Sequence, residues 1–342
     1  MMKTITICGG GALGHVVAGW LSSKGKADVR VLTQHPAQWH DEIMVDTPDG
    51  EILCGRMTRV SDNACEVVSG ADVVLLCLPG FLIPQTLVSI KPYLGCQTFV
   101  GSVFSSTGFF FEAMRLLDKS QPLWGFQRVP FISRVSSYGS SAHLLGYKTA
   151  YQVAIEHVGD CEKAEFAHVL EDWFERPVEV LDNYLEASLT NSNPLLHTAR
   201  LYTMFGGQNE GRAYDRMIRF YEEWTEESAA MLIEMDAEFF QLLKVLPVRQ
   251  NSLPTILDYY ESHDAHSLAC KLSSIEGFKG INSPMKQQGE VWVPDFQSRY
   301  FTEDFPYGLR YIYQLARQHD VACPHIDEVF HWGMHKIGLW HA

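Results

Sequence analysis

Residues 4–24, TITICGGGALGHVVAGWLSSK, decide the reading of the chain. A short apolar run, Thr4–Cys8, enters Gly9-x-Gly11-x-x-Gly14, and Val16, Val17 and Leu21 then recur at helical spacing, so the order is strand, tight turn, helix. That order suits a dinucleotide. Gly9 permits the turn, Gly11 lets backbone approach a pyrophosphate, and Gly14 lets the helix lie close on the strand. The N–H groups that open the helix, from Ala12 and Leu13 onward, would meet the phosphates. The plain alternative is a glycine-rich turn that binds nothing. The placement of the triplet between a strand and a helix favours the dinucleotide.

Working outward, Asp28–Leu32 reads as a second strand, ending in Thr33, Gln34 and His35. An NAD site usually carries Asp or Glu there to accept from the ribose 2′-hydroxyl. Here no carboxylate would repel a 2′-phosphate, and a hydroxyl, an amide and an imidazole could donate to one. The expectation is NADP(H) over NAD(H). Residues 36–70 hold short strand-like pieces and turns such as Pro48-Asp49-Gly50. The apolar run Asp72–Leu78 before Pro79-Gly80 fits a parallel strand covered on both faces, which puts Leu78 and Pro79 beside the cofactor. Thr98–Val100 is a further strand before a polar loop in which Ser105 or Ser106 either caps the next helix or touches nicotinamide or substrate. The pieces 123–132, 151–157 and 177–181 read as the closing strands of the first domain.

After Asp182 helical spacing takes over, most clearly in Leu185–Phe205, Ala213–Leu246, Tyr307–His319 and Asp327–Ile337. The fold expected is an α/β Rossmann-type domain over 1–182 followed by an all-α domain over 183–342, two domains being natural for 342 residues.

The totals exclude several classes. A net charge of −14 speaks against general nucleic-acid affinity, which needs a basic face. No apolar run approaches a membrane span, and the first strand starts without a basic leader, so the reading is cytoplasmic with no membrane partner. Eight scattered cysteines without a C-x-x-C read as reduced thiols. Glu328, His331 and His335 share a helical face but lack a further ligand, so no metal is expected. Phe109–Phe111 and Tyr259-Tyr260 read as core or as subunit contact, the latter allowing a homodimer.

Two clusters carry chemistry. In Asn193-Pro194-Leu195-Leu196-His197 the Asn and His are four apart and share one helix face. Pro194 either kinks a continuous helix and aims them at a cleft, or marks the first turn of a helix that starts later, with His197 merely packed. In Arg299-Tyr300-Phe301-Thr302-Glu303-Asp304-Phe305-Pro306-Tyr307-Gly308-Leu309 the carboxylates read as helix caps. If the fold brings Asp304 to His197, it would hold the imidazole's tautomer and raise its pKa, and Arg299 would offer two parallel donors to a substrate carboxylate.

Together the glycine loop, the strand-ending CLPG, Asn-Pro-x-x-His and Arg-Tyr-x-x-Glu-Asp-x-Pro-x-Gly-Leu resemble the opine dehydrogenase family, with GFQRVPFISRV and Gly280-Ile281-Asn282-Ser283-Pro284 in keeping. The resemblance implies that an amino acid's amine and an α-keto acid join as an imine, which takes hydride from NAD(P)H. It implies His197 as general acid/base, Asp304 as its orienting carboxylate, Arg299 as the keto-acid binder and Asn193 as a contact to cofactor or substrate carbonyl. Two readings compete: a ketopantoate or 2-hydroxy-acid reductase on the same plan, and a non-catalytic NADP-binding sensor. The absence of lysine between Lys163 and Lys244 weakens the ketopantoate reductase, which needs one early in the helical domain. Retention of the acid–base pair weakens the sensor.

Overall fold

The computed structural model describes residues 3–249 and 253–339, in two compact units, 1–188 and 189–342. Among the described residues the first unit holds twelve strands: β1 (Lys3–Cys8), β2 (Ala27–Leu32), β3 (Glu42–Asp46), β4 (Ile52–Arg56), β5 (Arg59–Ser61), β6 (Val73–Leu76), β7 (Phe99–Ser102), β8 (Leu123–Phe126), β9 (Phe131–Ser137), β10 (Ser141–Tyr147), β11 (Tyr151–Glu156) and β12 (Val178–Val180).

Eight of them form one sheet in the order β12-β11-β8-β7-β6-β1-β2-β5, parallel except where β11 meets β8. Read from β5, the first six follow the doubly wound order in which the chain reverses direction beside β1. β1, β6 and β7 are apolar because both of their faces are covered: Ile5, Ile7, Val73 and Leu75 face one side, and Cys8, Val74, Leu76 and Val100 the other. The helix Ala12–Ser23 is buried from Gly14 to Leu21. A second sheet, in the order β4-β3-β10-β9, packs against it, and Gly19 and Gly55 allow the approach, since a Cβ on Gly55 would lie 2.6 Å from the Gly19 carbonyl oxygen. Strand-like pieces were legible in 36–70, but their pairing with the hairpin at 131–147 was not.

The second unit is helical. Helices Asn193–Phe205, Glu226–Leu243 and Pro324–Lys336 pack together, joined by a π-turn at Phe305–Leu309 and the helix Arg310–Gln318. It also carries a short hairpin, β13 (Met285–Gln288) and β14 (Val291–Pro294), which the helical spacing did not reveal. Two helix boundaries differ from expectation. Leu185–Phe205 is two helices, Tyr184–Ser188 and Asn193–Phe205, with Pro194 in the first turn, where its missing N–H costs nothing. Ala213–Leu246 is helical only over Glu226–Leu243, where the Thr225 side chain accepts from Ser228 N and starts the helix. Among the described residues no helix is long and apolar enough to cross a membrane.

Candidate active site

Gly9 adopts φ +121°, and a Cβ there would sit 2.6 Å from the Cys77 carbonyl oxygen. A Cβ on Gly14 would lie 1.9 Å from the Gly9 carbonyl oxygen, so the loop folds back on its own helix only with glycine at both positions. Gly11 is the N-cap, with open space where its Cβ would be, and it supplies no side-chain cap to the first-turn amides. This open backbone cradle fits a pyrophosphate.

Beside it lies a cavity of about 570 Å³ whose lining includes Gly9, Gly10, Thr33, Gln34, His35 and Leu78. Gly11, Ala12, Leu13, Gly14 and Pro79 are not part of that lining. Thr33 is buried, its Oγ1 accepting from His35 N at 3.4 Å and lying 3.1 Å from the Tyr138 hydroxyl. Sequence reasoning missed Asp62, which is exposed and lines the same cavity, and Tyr138. It also missed His15, wholly buried one turn into the helix. Its Nδ1 lies 2.9 Å from the Gly11 carbonyl, and its Nε2 accepts from Gly139 N at 2.7 Å. Both bonds need the neutral ring protonated on Nδ1, and burial depresses its pKa. Cys8, also buried, has its thiol pushed up to about 12. Neither Ser105 nor Ser106 caps the following helix: Ser105 Oγ donates to the Phe126 carbonyl at 2.8 Å, and Gly108 occupies the cap.

In the second unit, His197 Nδ1 and Asp304 Oδ2 are 2.8 Å apart across 107 residues of chain. Asp304 opens the π-turn without capping it; its carboxylate goes to the imidazole instead. The close seat comes from Gly308, where a Cβ would stand 2.8 Å from Pro194 Cγ, so the turn rests directly on the start of the His197 helix. An ionised carboxylate only accepts, so Nδ1 carries the proton. Pro194 marks a helix start, as the second reading had it, and His197 is joined to Asp304 by a hydrogen bond as well as packed.

Arg299 is 82% exposed at its side chain, with Glu303 4.0 Å from its Nε. Asn193 is exposed, one turn before His197 on the same face. Two aromatic residues complete the cluster: Tyr300, which lies in the Arg-Tyr motif but was given no role there, and Tyr221, which no motif marks. Tyr300 packs its ring 4.8 Å from the imidazole, and the Tyr221 hydroxyl lies 2.8 Å from His197 Nε2. On the helical face of Glu328, His331 and His335, from which no metal was expected, Glu328 accepts from Tyr202 and His331 lies 3.3 Å from the Tyr313 hydroxyl.

Residues 180–337 match the family model of the NAD/NADP octopine/nopaline dehydrogenase alpha-helical domain, and residues 5–104 match that of ketopantoate reductase PanE/ApbA. Most of the second unit carries the helical domain of the octopine/nopaline dehydrogenase family, and over nearly its whole length the chain is similar to opine dehydrogenases. Among curated relatives, the tauropine dehydrogenase of Arabella iricolor is 26% identical over 98% of this chain and 92% of its own. A solved octopine dehydrogenase with NADH and L-arginine superposes with TM-score 0.85 at 24% identity, over 98% of this chain and 90% of that one. A yersinopine dehydrogenase with NADP+ bound does so with TM-score 0.72 at 15% identity, over the same shares, and these two likenesses speak to the fold. The ketopantoate reductase match lies in the dinucleotide-binding part, and the helical part carries the opine-type match.

Proposed function

We propose that this protein is an opine dehydrogenase that condenses the amine of an amino acid with an α-keto acid and reduces the resulting imine to a secondary-amine dicarboxylate. The observation that carries the reading is the bond between His197 and Asp304 inside a segment matching the octopine/nopaline dehydrogenase domain. The glycine cradle at Gly9, Gly11 and Gly14, with the N–H groups from Ala12 and Leu13 onward, holds the coenzyme pyrophosphate; Thr33, Gln34, Leu78 and Pro79 flank it. A reduced nicotinamide, when bound, supplies the hydride.

His197 is the acid and base. In its protonated form it gives a proton to the departing hydroxyl of the carbinolamine, which leaves as water as the C=N bond forms. Asp304 fixes the ring orientation and steadies the imidazolium. Arg299 is exposed and its ion pair with Glu303 is long, so its guanidinium is available to clamp the keto-acid carboxylate with two parallel hydrogen bonds. Asn193 presents its amide on the same helix face as His197 and contacts the cofactor or the substrate carbonyl.

For the coenzyme, the absence of a carboxylate at the end of β2 supports NADP(H). A second reading, NAD(H), is favoured by Asp62 in the cavity and by the lack of any lysine or arginine among its described lining residues. Dissociation constants for NADPH and NADH, measured by quenching of tryptophan fluorescence, decide between them. The eight free thiols suit a reducing compartment and so support the cytoplasmic reading; a homodimer is tested by light scattering.

The activity is tested by following nicotinamide absorbance with keto acids in the presence and absence of amino acids. Oxidation that needs both partners is expected. Oxidation with the keto acid alone would make the protein a hydroxy-acid reductase, and none, despite cofactor binding, would favour a sensor.

A further inference from the structure

The stretch between the helices Asn193–Phe205 and Glu226–Leu243 carries a side chain that no motif names. Tyr221 is 6% exposed. Its ring stacks on Phe278 at 4.1 Å and 21°, with Trp224 near parallel on it at 5.9 Å and 18°. The backbone on either side is fastened. Arg200, one turn beyond His197 and nearly wholly buried, donates to the Phe220 carbonyl at 3.3 Å and to the Glu223 carbonyl at 2.6 Å. Phe220 N donates to the Ile281 carbonyl at 2.9 Å, tying the stretch to the Gly280–Pro284 motif. Burial lowers the Arg200 pKa to about 10, so it stays charged at neutral pH, and with Ser228 Oγ at 2.9 Å its donors fix this segment and the first turn of the helix that follows it.

The direction of each hydrogen bond follows from the acceptor-only carboxylate. Nδ1–H donates to Asp304, Nε2 keeps its lone pair, and the Tyr221 hydroxyl donates to it. Burial, with Tyr300, Tyr260 and Asp304 nearby, pushes the Tyr221 hydroxyl far above the ordinary tyrosine range, so it stays O–H.

We propose that Tyr221 is a positioning residue for His197, its clamped hydroxyl fixing the Nδ1–H tautomer and holding the resting base neutral until substrate binds. The proposal rests on the reading of His197 as the acid and base. The groups facing the imidazole are Asp304 and Tyr300 on one side and Phe220 and Tyr221 on the other. Asp304 favours the charged ring and Tyr221 the neutral one. Loss of a single hydrogen bond to the neutral form raises the titration midpoint by about 0.5 to 1.

The test is Tyr221→Phe, which keeps the ring stack, read by nitrogen–proton long-range NMR of histidine-labelled protein across pH, with the His197 signal assigned by its loss in His197→Gln. In the unsubstituted protein His197 is expected as the neutral Nδ1–H tautomer above its midpoint. In Tyr221→Phe the midpoint moves up by about 0.5 to 1, and the acidic limb of the kcat/KM profile moves with it. An Nε2–H tautomer in the unsubstituted protein, or an unmoved midpoint in the variant, overturns the proposal. Phe278→Leu retains the hydroxyl but loosens the clamp; its midpoint should rise by less, and an unmoved midpoint there overturns the proposal in the same way if Tyr221→Phe does not fold. Full turnover in His197→Gln alongside a moved midpoint in Tyr221→Phe would instead reject the catalytic reading of His197 and leave the positioning of its ring intact.

Discussion

The glycine loop of the first unit is made of backbone, and the His197 cluster of the second is made of side chains. In the loop, the geometry depends on what is missing: Gly9 and Gly14 lack the Cβ atoms that would strike Cys77 and Gly9. In the cluster it depends on partners drawn from separate stretches, with Asp304 and Tyr221 on the two nitrogens of one imidazole and Tyr300 against its face. The loop spans a few consecutive residues, whereas the cluster spans more than a hundred. A backbone site can be lost by adding a methyl group, and a side-chain site by removing a single polar atom. The two should therefore fail independently.

The largest expected effect is on the side-chain site. His197→Ala should lower kcat/KM by about 10²–10⁴-fold while leaving the dissociation constant of the nicotinamide coenzyme unchanged in a fluorescence titration. Gly14→Ala should do the converse. A Cβ 1.9 Å from a backbone carbonyl forces the loop off the helix, destabilising the fold by about 1–3 kcal/mol. Coenzyme binding should weaken while the His197 NMR signal stays in place. If Gly14→Ala disturbed His197 as much as the coenzyme, the two sites would not be separable in this way.

Arg299→Ala sharpens the comparison within the second unit. Removing a charge-assisted clamp should raise KM for the keto acid by about 10- to 100-fold, with a smaller change in kcat and no loss of melting temperature, since the side chain is 82% exposed.

The smallest effect belongs to His15, which links the glycine loop to the turn at Gly139. Its folded pKa lies below the unfolded value, so between the two the unfolded chain binds more protons and stability rises with pH. That contribution is present above the ordinary histidine pKa and is lost as pH falls toward the depressed one. Melting temperatures taken on either side of this window should fall on acidification, and His15→Gln should flatten the slope.

How legible each region was follows from the same contrast. Gly9, Gly11 and Gly14 announce themselves because spacing along one short stretch is the whole requirement. The parallel strands β1, β6 and β7 were legible because burial on both faces favours apolar runs, and β2 through its alternation of buried and half-buried residues. The second sheet was not, because β3 pairs with β10 across almost a hundred residues. His197 and Asp304 were legible as candidates through their motifs. That they meet depends on Gly308 resting on Pro194, a contact which no periodicity encodes. Tyr221 was hidden for a different reason: helical spacing runs through 213–246, whereas the chain before Thr225 is held outside a helix by Arg200 and by Ile281. Asp62 sits after a three-residue strand too short to be read from alternation.

The measurement closest to the central claim is the fate of the hydride. With reduced coenzyme deuterated at the transferring C4 position, an amino acid and an α-keto acid, mass spectrometry and NMR should find one deuterium in a secondary amine, on the former keto carbon and bonded to the new nitrogen. Deuterium in a hydroxy acid, with the amine untouched, would contradict the account.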